Sequence, residues 1–334
     1  VKVVAELSCN HQGTLERAHE LVHAAALAGA HAIKLQTWTS DTMVLDRAVV
    51  LESGPWAGHN LSQLYAEAHT PWEWHRPLFE AARAHGMEAF SSVFDLDALE
   101  LLEGLECPRY KIASFELVDI PLIRAVAKTG KPIILSTGMA TRPEVQDAVE
   151  AARDGGARDI TLLQCTSAYP ATGADANLRT MRDFLSLGCQ IGLSDHTPGI
   201  GVALVAAAWG ATMIEKHFTL SRAAGGLDAA FSLEPDELAA LVREIPNVVN
   251  CLGKMEYGPK PSEIAQRDLR RSLYFAKDMR AGAYVGKEHV VTARPALGLP
   301  PRFYGTVLGS KLLVDVRAGQ RVTWEELEKR EVIQ

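Results

Sequence analysis

Eight short, β-branched apolar segments recur along the first two thirds of the chain, and they constrain the fold more than anything else in it. They lie at 1–7, 31–37, 87–92, 110–114, 132–137, 160–165, 190–194 and 211–217. Each is followed by a polar or glycine-bearing corner and then by a stretch rich in alanine and leucine. Such alternation builds a parallel sheet with helices on its outside, and eight is the strand number that closes one into a barrel. The expected fold is therefore α/β, a (β/α)8 TIM barrel. The stretches Leu15 to Gly29 and Arg142 to Gly156 repeat apolar residues at three and four and stop at glycine, as helices commonly do. One connection is long, from 38 to 86, with a Gly/Pro/Trp patch at 54–58; long barrel loops commonly serve the mouth.

The pattern breaks after a helix expected at 235–246. KMEYGPKPSE reads as a polar linker, and the following segments RAGAYVGKEHVVTARP and VLGSKLLVDVRAGQRVTWEEL share a core RAG and a valine-centred group. The reading is a barrel over 1–255, a linker over 256–275 and a small β-rich unit over 276–334. A net charge of −7 disfavours a general polyanion binder such as a nucleic-acid protein, while leaving room for a local basic pocket. Five scattered cysteines without a CxxC pair fit a reducing, cytoplasmic setting. No apolar run reaches the roughly 18 residues of a membrane helix, and no basic leader precedes the first strand.

In a barrel, chemistry gathers at the C-terminal ends of the strands. Here those ends carry Glu6, Asn10 and His11; Lys34 and Gln36; Ser91 and Ser92; Lys111, Ser114 and Glu116; Ser136 and Thr137; Gln164, Thr166, Ser167 and Tyr169; Ser194, Asp195 and His196; Glu215, Lys216 and His217. Lys34 and Lys111 sit in apolar runs, where an ammonium needs an anion: a phosphate or carboxylate ligand, or a partner such as Glu6 or Glu116. The STG at 136–138 offers a hydroxyl and backbone N–H groups at a helix start, which suits phosphate, although Thr141 reads equally as a helix cap. His196 and His217 end adjacent strands. With Glu6 and waters they would make an open site for Mn²⁺ or a similar divalent ion; His196 acting as a base without metal is the rival. Asp195 reads as an acceptor orienting a histidine, Asp228 as a hydroxyl contact or a turn former, and Tyr169 as a pocket wall or mouth packing. Cys9 and Cys165 flank the mouth and read as packing rather than as nucleophiles.

The strings AELSCNHQG, AHAIKLQT, ILSTGMA, LLQCTSAYP, IGLSDHT and ATMIEKHFTL, in that order, resemble the bacterial sialic acid synthase superfamily over nearly the whole chain. The region from about 276 looks like that family's antifreeze-like or SAF domain. SDTMVLD, LYAEAHTPWEW and GGLDAAFSLEP look most like its pseudaminic acid branch, with N-acetylneuraminic or legionaminic acid synthesis as the alternative. The resemblance implies a transferase that joins phosphoenolpyruvate to an N-acylated amino sugar and releases phosphate. It implies His196 and His217 as ligands of a divalent metal, most often Mn²⁺ with Mg²⁺ or Co²⁺ as alternatives, and Glu6 beside the reacting carbons. It places Lys34, Lys111, Ser114, Ser136 and Ser194, assisted by Ser91 or Ser92, on phosphoenolpyruvate. Gln36, Glu116, Tyr169 and Asp228 would line the sugar side. Arg294 of the small unit would reach a partner's barrel in a domain-swapped homodimer. Departures at YPATGADANL and at SAYP touch acceptor selection. A metal-dependent aldolase and a catalytically silent carbohydrate-binding barrel are the competing classes.

Overall fold

The computed structural model describes residues 1–54 and 56–328; Pro55 of the 54–58 patch and the end of the expected small unit, 329–334, lie outside the described residues. Eight parallel strands close into a barrel in chain order: β1 Lys2–Glu6, β2 Ala32–Thr37, β3 Glu88–Val93, β4 Tyr110–Ile112, β5 Ile133–Ser136, β6 Ile160–Cys165, β7 Gln190–Asp195 and β8 Met213–His217. All eight fall within a residue or two of the expected segments. They are buried on both faces, as strands wrapped by helices must be.

The register decides which side chains enter the barrel, because partners in parallel strands share a face and successive residues alternate. Glu6 is level with Lys34 and with His217. Gln36 is level with Ser92, and Ser92 with Lys111. Lys111 is level with Ile134, which puts Ser136 on the inner face as well. Cys165 is level with Ser194, and Ser194 with Glu215. One inward set follows: Glu6, Lys34, Gln36, Ser92, Lys111, Ser136, Cys165, Ser194, Glu215 and His217. Beneath it the lining is apolar. Gly192 is required there, since a Cβ would lie 2.5 Å from both the Leu163 side chain and the Met213 carbonyl oxygen.

The outer helices follow their sequence signals. Helix Leu15–Leu27 is capped by Thr14 and buries Ala18, Leu21, Val22 and Ala25 at helical spacing. Helix Arg142–Asp154 opens on a capping box between Thr141 and Glu144, so Thr141 is a cap. Helix Pro235–Cys251 runs past the expected end at 246: Pro246 removes one backbone donor inside it without ending it. The long connection is mostly helical, with segments Ser40–Met43, Leu61–Ala68 and Trp72–Ala84. Between the first two, a strap folds back so that Val50 bridges Asn60. Among the described residues no helix is long and apolar enough to cross a membrane.

Compact units divide at Gly253 and Lys254. In the second, β9 Ser272–Phe275 pairs antiparallel with β10 Val290–Ala293, so the small fold begins before the expected start at 276: Leu273 and Phe275 are part of its core. The two RAG segments are related. Met279 bridges Val316, Asp278 accepts from the Ala318 N–H, and Asp315 accepts from the Ala281 N–H, both at 2.8 Å. The shared sequence thus encodes two turns that cap each other.

Candidate active site

The inward residues build a buried ionic floor. Lys34 Nζ lies 2.6 Å from Glu6 Oε2 and 3.6 Å from Glu215 Oε1, and Lys111 Nζ lies 3.3 Å from the same Glu215 oxygen. Lys34 also donates to Ser92 Oγ at 2.9 Å, and Ser194 Oγ donates to Glu215 at 3.2 Å. Lys111 therefore finds Glu215 and not Glu116. Two ammoniums and two carboxylates balance, which is the condition for keeping them out of water. The balance leaves open positions: Glu6 Oε1, Glu215 Oε2 and Ser136 Oγ are buried without a hydrogen-bond partner. Burial pushes the Glu6 carboxyl up even against Lys34. Glu215 is held down, because Lys111 and Lys34 outweigh its burial. Burial lowers Lys111 despite Glu215, so an added anion would steady its charge.

Beside this floor the ends of β4, β5 and β6 converge. The Gly138 N–H donates to Ser114 Oγ at 3.1 Å, and a Cβ on Gly138 would run into Ser167 Oγ and Ser114 Oγ. A glycine is needed for that approach, and it brings three hydroxyls, Ser114, Ser136 and Ser167, to adjoining strand ends. A cavity of about 510 Å³ opens next to them, lined in part by Thr137, Arg142, Cys165, Thr166 and Ser167.

At the β7 and β8 ends the His196 and His217 rings are 5.3 Å apart. His196 Nδ1 lies 2.9 Å from the Thr166 carbonyl, which requires a proton there and leaves Nε2 as the lone-pair nitrogen. His217 Nδ1 faces Asp228 Oδ2 at 3.3 Å, and the same oxygen accepts from Ser8 Oγ at 2.5 Å. Asp228, expected on the sugar, thus also orients an imidazole; its carboxyl is held low by His217 and Ser8 against burial. His196 is fixed by its Nδ1 hydrogen bond and His217 Nδ1 lies within ion-pair distance of Asp228, the kind of outer support that ligating histidines need. Among the described residues no three His, Cys, Asp or Glu side chains converge as a closed metal site. The donor set fits an open one, with two imidazoles and the remaining positions filled by water or substrate.

Cys165 has a partner that its spacing concealed: its Sγ is 3.9 Å from His196 Nδ1, and although burial opposes ionisation, His196 brings the thiol down to about 7. Cys9 is buried and pushed up, as an inert packing thiol should be. Tyr169 stacks 4.4 Å from His196 and 5.2 Å from Phe231, so it walls the mouth. Gln36 is half-buried on the β2 side. Glu116 follows β4 on a short 3-10 turn, where burial pushes its carboxyl up to about 7.

Two expected positions face the other way. Ser91 lies on the outer face, 2.6 Å from Thr37 Oγ1, so only Ser92 of that pair enters the barrel. Asp195 takes Lys216 Nζ at 3.0 Å and the Thr197 N–H at 2.9 Å, and does not orient His196. Strand alternation is the reason in each case. Glu215, fully inward between Lys34 and Lys111, belongs to the centre of the site, although the sequence pattern draws attention to His217 beside it. Arg294 is exposed at the end of β10 in the small unit, with no ion pair among the described residues.

Comparison with known proteins matches residues 21–257 to the NeuB family and 270–328 to the SAF domain. The chain is 43% identical to the pseudaminic acid synthase of Helicobacter pylori, over 98% of each protein. It is 39% identical to the pseudaminic acid synthase of Campylobacter jejuni, over 96% of this chain and 94% of that one. Among solved structures, the N-acetylneuraminic acid synthetase of Leptospira borgpetersenii, in complex with citrate, superimposes with a TM-score of 0.72. It is 33% identical, and the match covers 80% of this chain and 90% of that one. With a closed eight-stranded barrel, a SAF domain after it in the sequence and this degree of identity, the chain belongs to the NeuB family.

Proposed function

We propose that this protein is a pseudaminic acid synthase. It condenses phosphoenolpyruvate with 2,4-diacetamido-2,4,6-trideoxy-L-altrose, releasing phosphate and forming a nine-carbon 2-keto sugar acid. The observation that carries the reading is near full-length identity to two pseudaminic acid synthases, at 43% and 39%. The buried floor supports it, since Lys34 and Lys111 are the cations an anionic three-carbon substrate needs.

In this reading Lys34, Lys111 and Ser194 hold the substrate's carboxylate and phosphate charges, and Ser114 and Ser136 supply hydroxyls to the phosphate; Ser92 keeps Lys34 in place. A divalent ion on His196 and His217, Mn²⁺ by preference, would polarise the acceptor's aldehyde. Carbon 3 of phosphoenolpyruvate then attacks that carbon, and water adds at carbon 2, where positive charge develops. Glu6 Oε1, buried and without a hydrogen-bond donor, takes the proton of that water. The raised carboxyl of Glu6 suits it to accept the proton and return it to the phosphate oxygen as the carbon–oxygen bond breaks, while the water's second proton ends on the former aldehyde oxygen as carbon 2 becomes a carbonyl. Gln36, Glu116 and Tyr169 line the acceptor, with Asp228 at the edge of that side holding His217. Arg294, exposed and unpaired among the described residues, would contact the acceptor from a partner subunit in a domain-swapped homodimer. Five free cysteines accord with a reducing cytoplasm.

Product identity is the test. Incubation with phosphoenolpyruvate, Mn²⁺ and the altrose acceptor should yield pseudaminic acid and one phosphate per product, read by NMR and mass spectrometry. Preference for N-acetylmannosamine or the matching legionaminic acid precursor would overturn the assignment.

A further inference from the structure

Above the histidines the mouth carries an aromatic group that the chemistry just described does not use. The strap between the Ser40–Met43 and Leu61–Ala68 helices is a closed turn: the Leu51 N–H donates to the His59 carbonyl at 3.0 Å and the Gly58 N–H to the Leu51 carbonyl at 2.8 Å. Gly54 and Gly58, at φ +87° and +85°, supply backbone conformations that other residues rarely adopt. The turn presents one large side chain to the barrel. Trp56 is half-buried, with its ring 5.6 Å from Tyr169, and its Nε1–H donates at 3.3 Å to the carbonyl of Leu227, the residue before Asp228. The indole is thereby tied to both the β6 and β8 loops, and Tyr169 contacts both it and His196. The polar residues of the acceptor region, Gln36 and Glu116, come from the β2 and β4 ends.

We propose that Trp56 is a specificity-determining residue whose indole forms the apolar platform for the methyl end of a 6-deoxy acceptor. The inference rests on the function proposed above, which puts the acceptor's aldehyde at His196 and His217. Tyr169 contacts both His196 and Trp56, so an open six-carbon chain that starts at the histidines and runs along Tyr169 would bring its far end to the indole. An indole face is favourable contact for a methyl group and poor contact for a hydroxyl, which would lose water without gaining a partner.

The test compares wild type, Trp56→Ala and Trp56→Phe on two acceptors, 2,4-diacetamido-2,4,6-trideoxy-L-altrose and its 6-hydroxy counterpart, with the KM for phosphoenolpyruvate as an internal control. Wild type should favour the 6-deoxy sugar roughly tenfold in kcat/KM, in line with what one apolar contact discriminates. Trp56→Ala should lose about tenfold on the 6-deoxy sugar and bring the two acceptors nearly level, leaving the phosphoenolpyruvate KM within about twofold. Trp56→Phe, which keeps an apolar face but not the bond to Leu227, should retain the preference. The inference is overturned if Trp56→Ala keeps the wild-type preference, or if both substrates' KM values rise together as the melting temperature falls. Trp56→Phe stands alone if the alanine variant does not fold, and equal rates on both acceptors in it would also be contrary. Wild type that turns over another N-acyl sugar but not the altrose would overturn the proposed function, and this inference with it.

Discussion

Two buried lysine–carboxylate networks stand on opposite faces of the barrel wall, meeting at β8, and they are built differently. Outside the barrel, Lys216 Nζ meets Asp195 Oδ2 at 3.0 Å and the Thr197 carbonyl at 2.5 Å, while Asp195 Oδ1 accepts from the Thr197 N–H and hydroxyl. No side-chain atom of that pair is left without a partner. Inside, one residue away on β8, Glu215 bridges Lys34 and Lys111, yet oxygens of both Glu6 and Glu215 lack hydrogen bonds. A closed network fixes a structure; an open one in equally deep burial is poised for something else to complete it. The difference teaches that burial and charge alone do not mark a site, whereas unfilled bonding capacity on the inner face does.

The largest effect should come from the inner face. His196→Ala or His217→Ala should lower metal-supported turnover by about a thousandfold or more. Melting temperature should stay close to wild type for His196→Ala, whose ring is no part of the barrel's core, and fall further for His217→Ala, which takes the imidazole from buried Asp228. Rates measured across a Mn²⁺ titration check this, and unchanged turnover would remove both residues from the proposed metal site. A smaller effect belongs to the outer face. His75 Nε2 lies 2.8 Å from Thr37 Oγ1 and its Nδ1 3.2 Å from the Pro71 carbonyl, and burial lowers its pKa to about 4. Between its ordinary value of 6.5 and about 4, the unfolded chain binds a proton that the native one refuses, so stability falls as pH falls through that window. The loss should approach about 3 kcal/mol by pH 4. Denaturant titrations at pH 7 and pH 4 should show it, and a His75→Gln variant should show less of it.

Much of this was legible in the chain because its causes are local. Alternating strand and helix signals, glycine stops and the capping residue Thr141 act within a few positions, so the barrel and its helices follow from the sequence. The polar strand ends were legible too, but not which residues of each run point inward. Ser91 and Ser92, or Asp195 and His196, differ only in pleat phase, and that is set by register with neighbouring strands far away in sequence. Glu215 was hidden for the same reason: beside Lys216 and His217 it looks like one charge among several, and only closure of the barrel puts Lys34 and Lys111 against it. Trp56 lay in a patch marked as loop by its glycines, with nothing local to show that it turns towards Tyr169.

The contrast between the two faces can be tested by one paired measurement: kcat/KM for phosphoenolpyruvate and the free energy of unfolding, in Lys111→Met and Lys216→Met. Lys111→Met should lose about a hundredfold or more in kcat/KM, the scale of removing a preorganised group from an anionic centre, at modest cost in stability because Lys34 still faces Glu215 and the Glu6 carboxyl, already pushed up by burial, can take a proton to restore the balance. Lys216→Met should keep kcat/KM within about threefold and lose about 3–5 kcal/mol of stability, the cost of stranding Asp195 in the interior. A Lys111 variant with undiminished phosphoenolpyruvate turnover, or a Lys216 variant that is stable but inactive, would contradict the account.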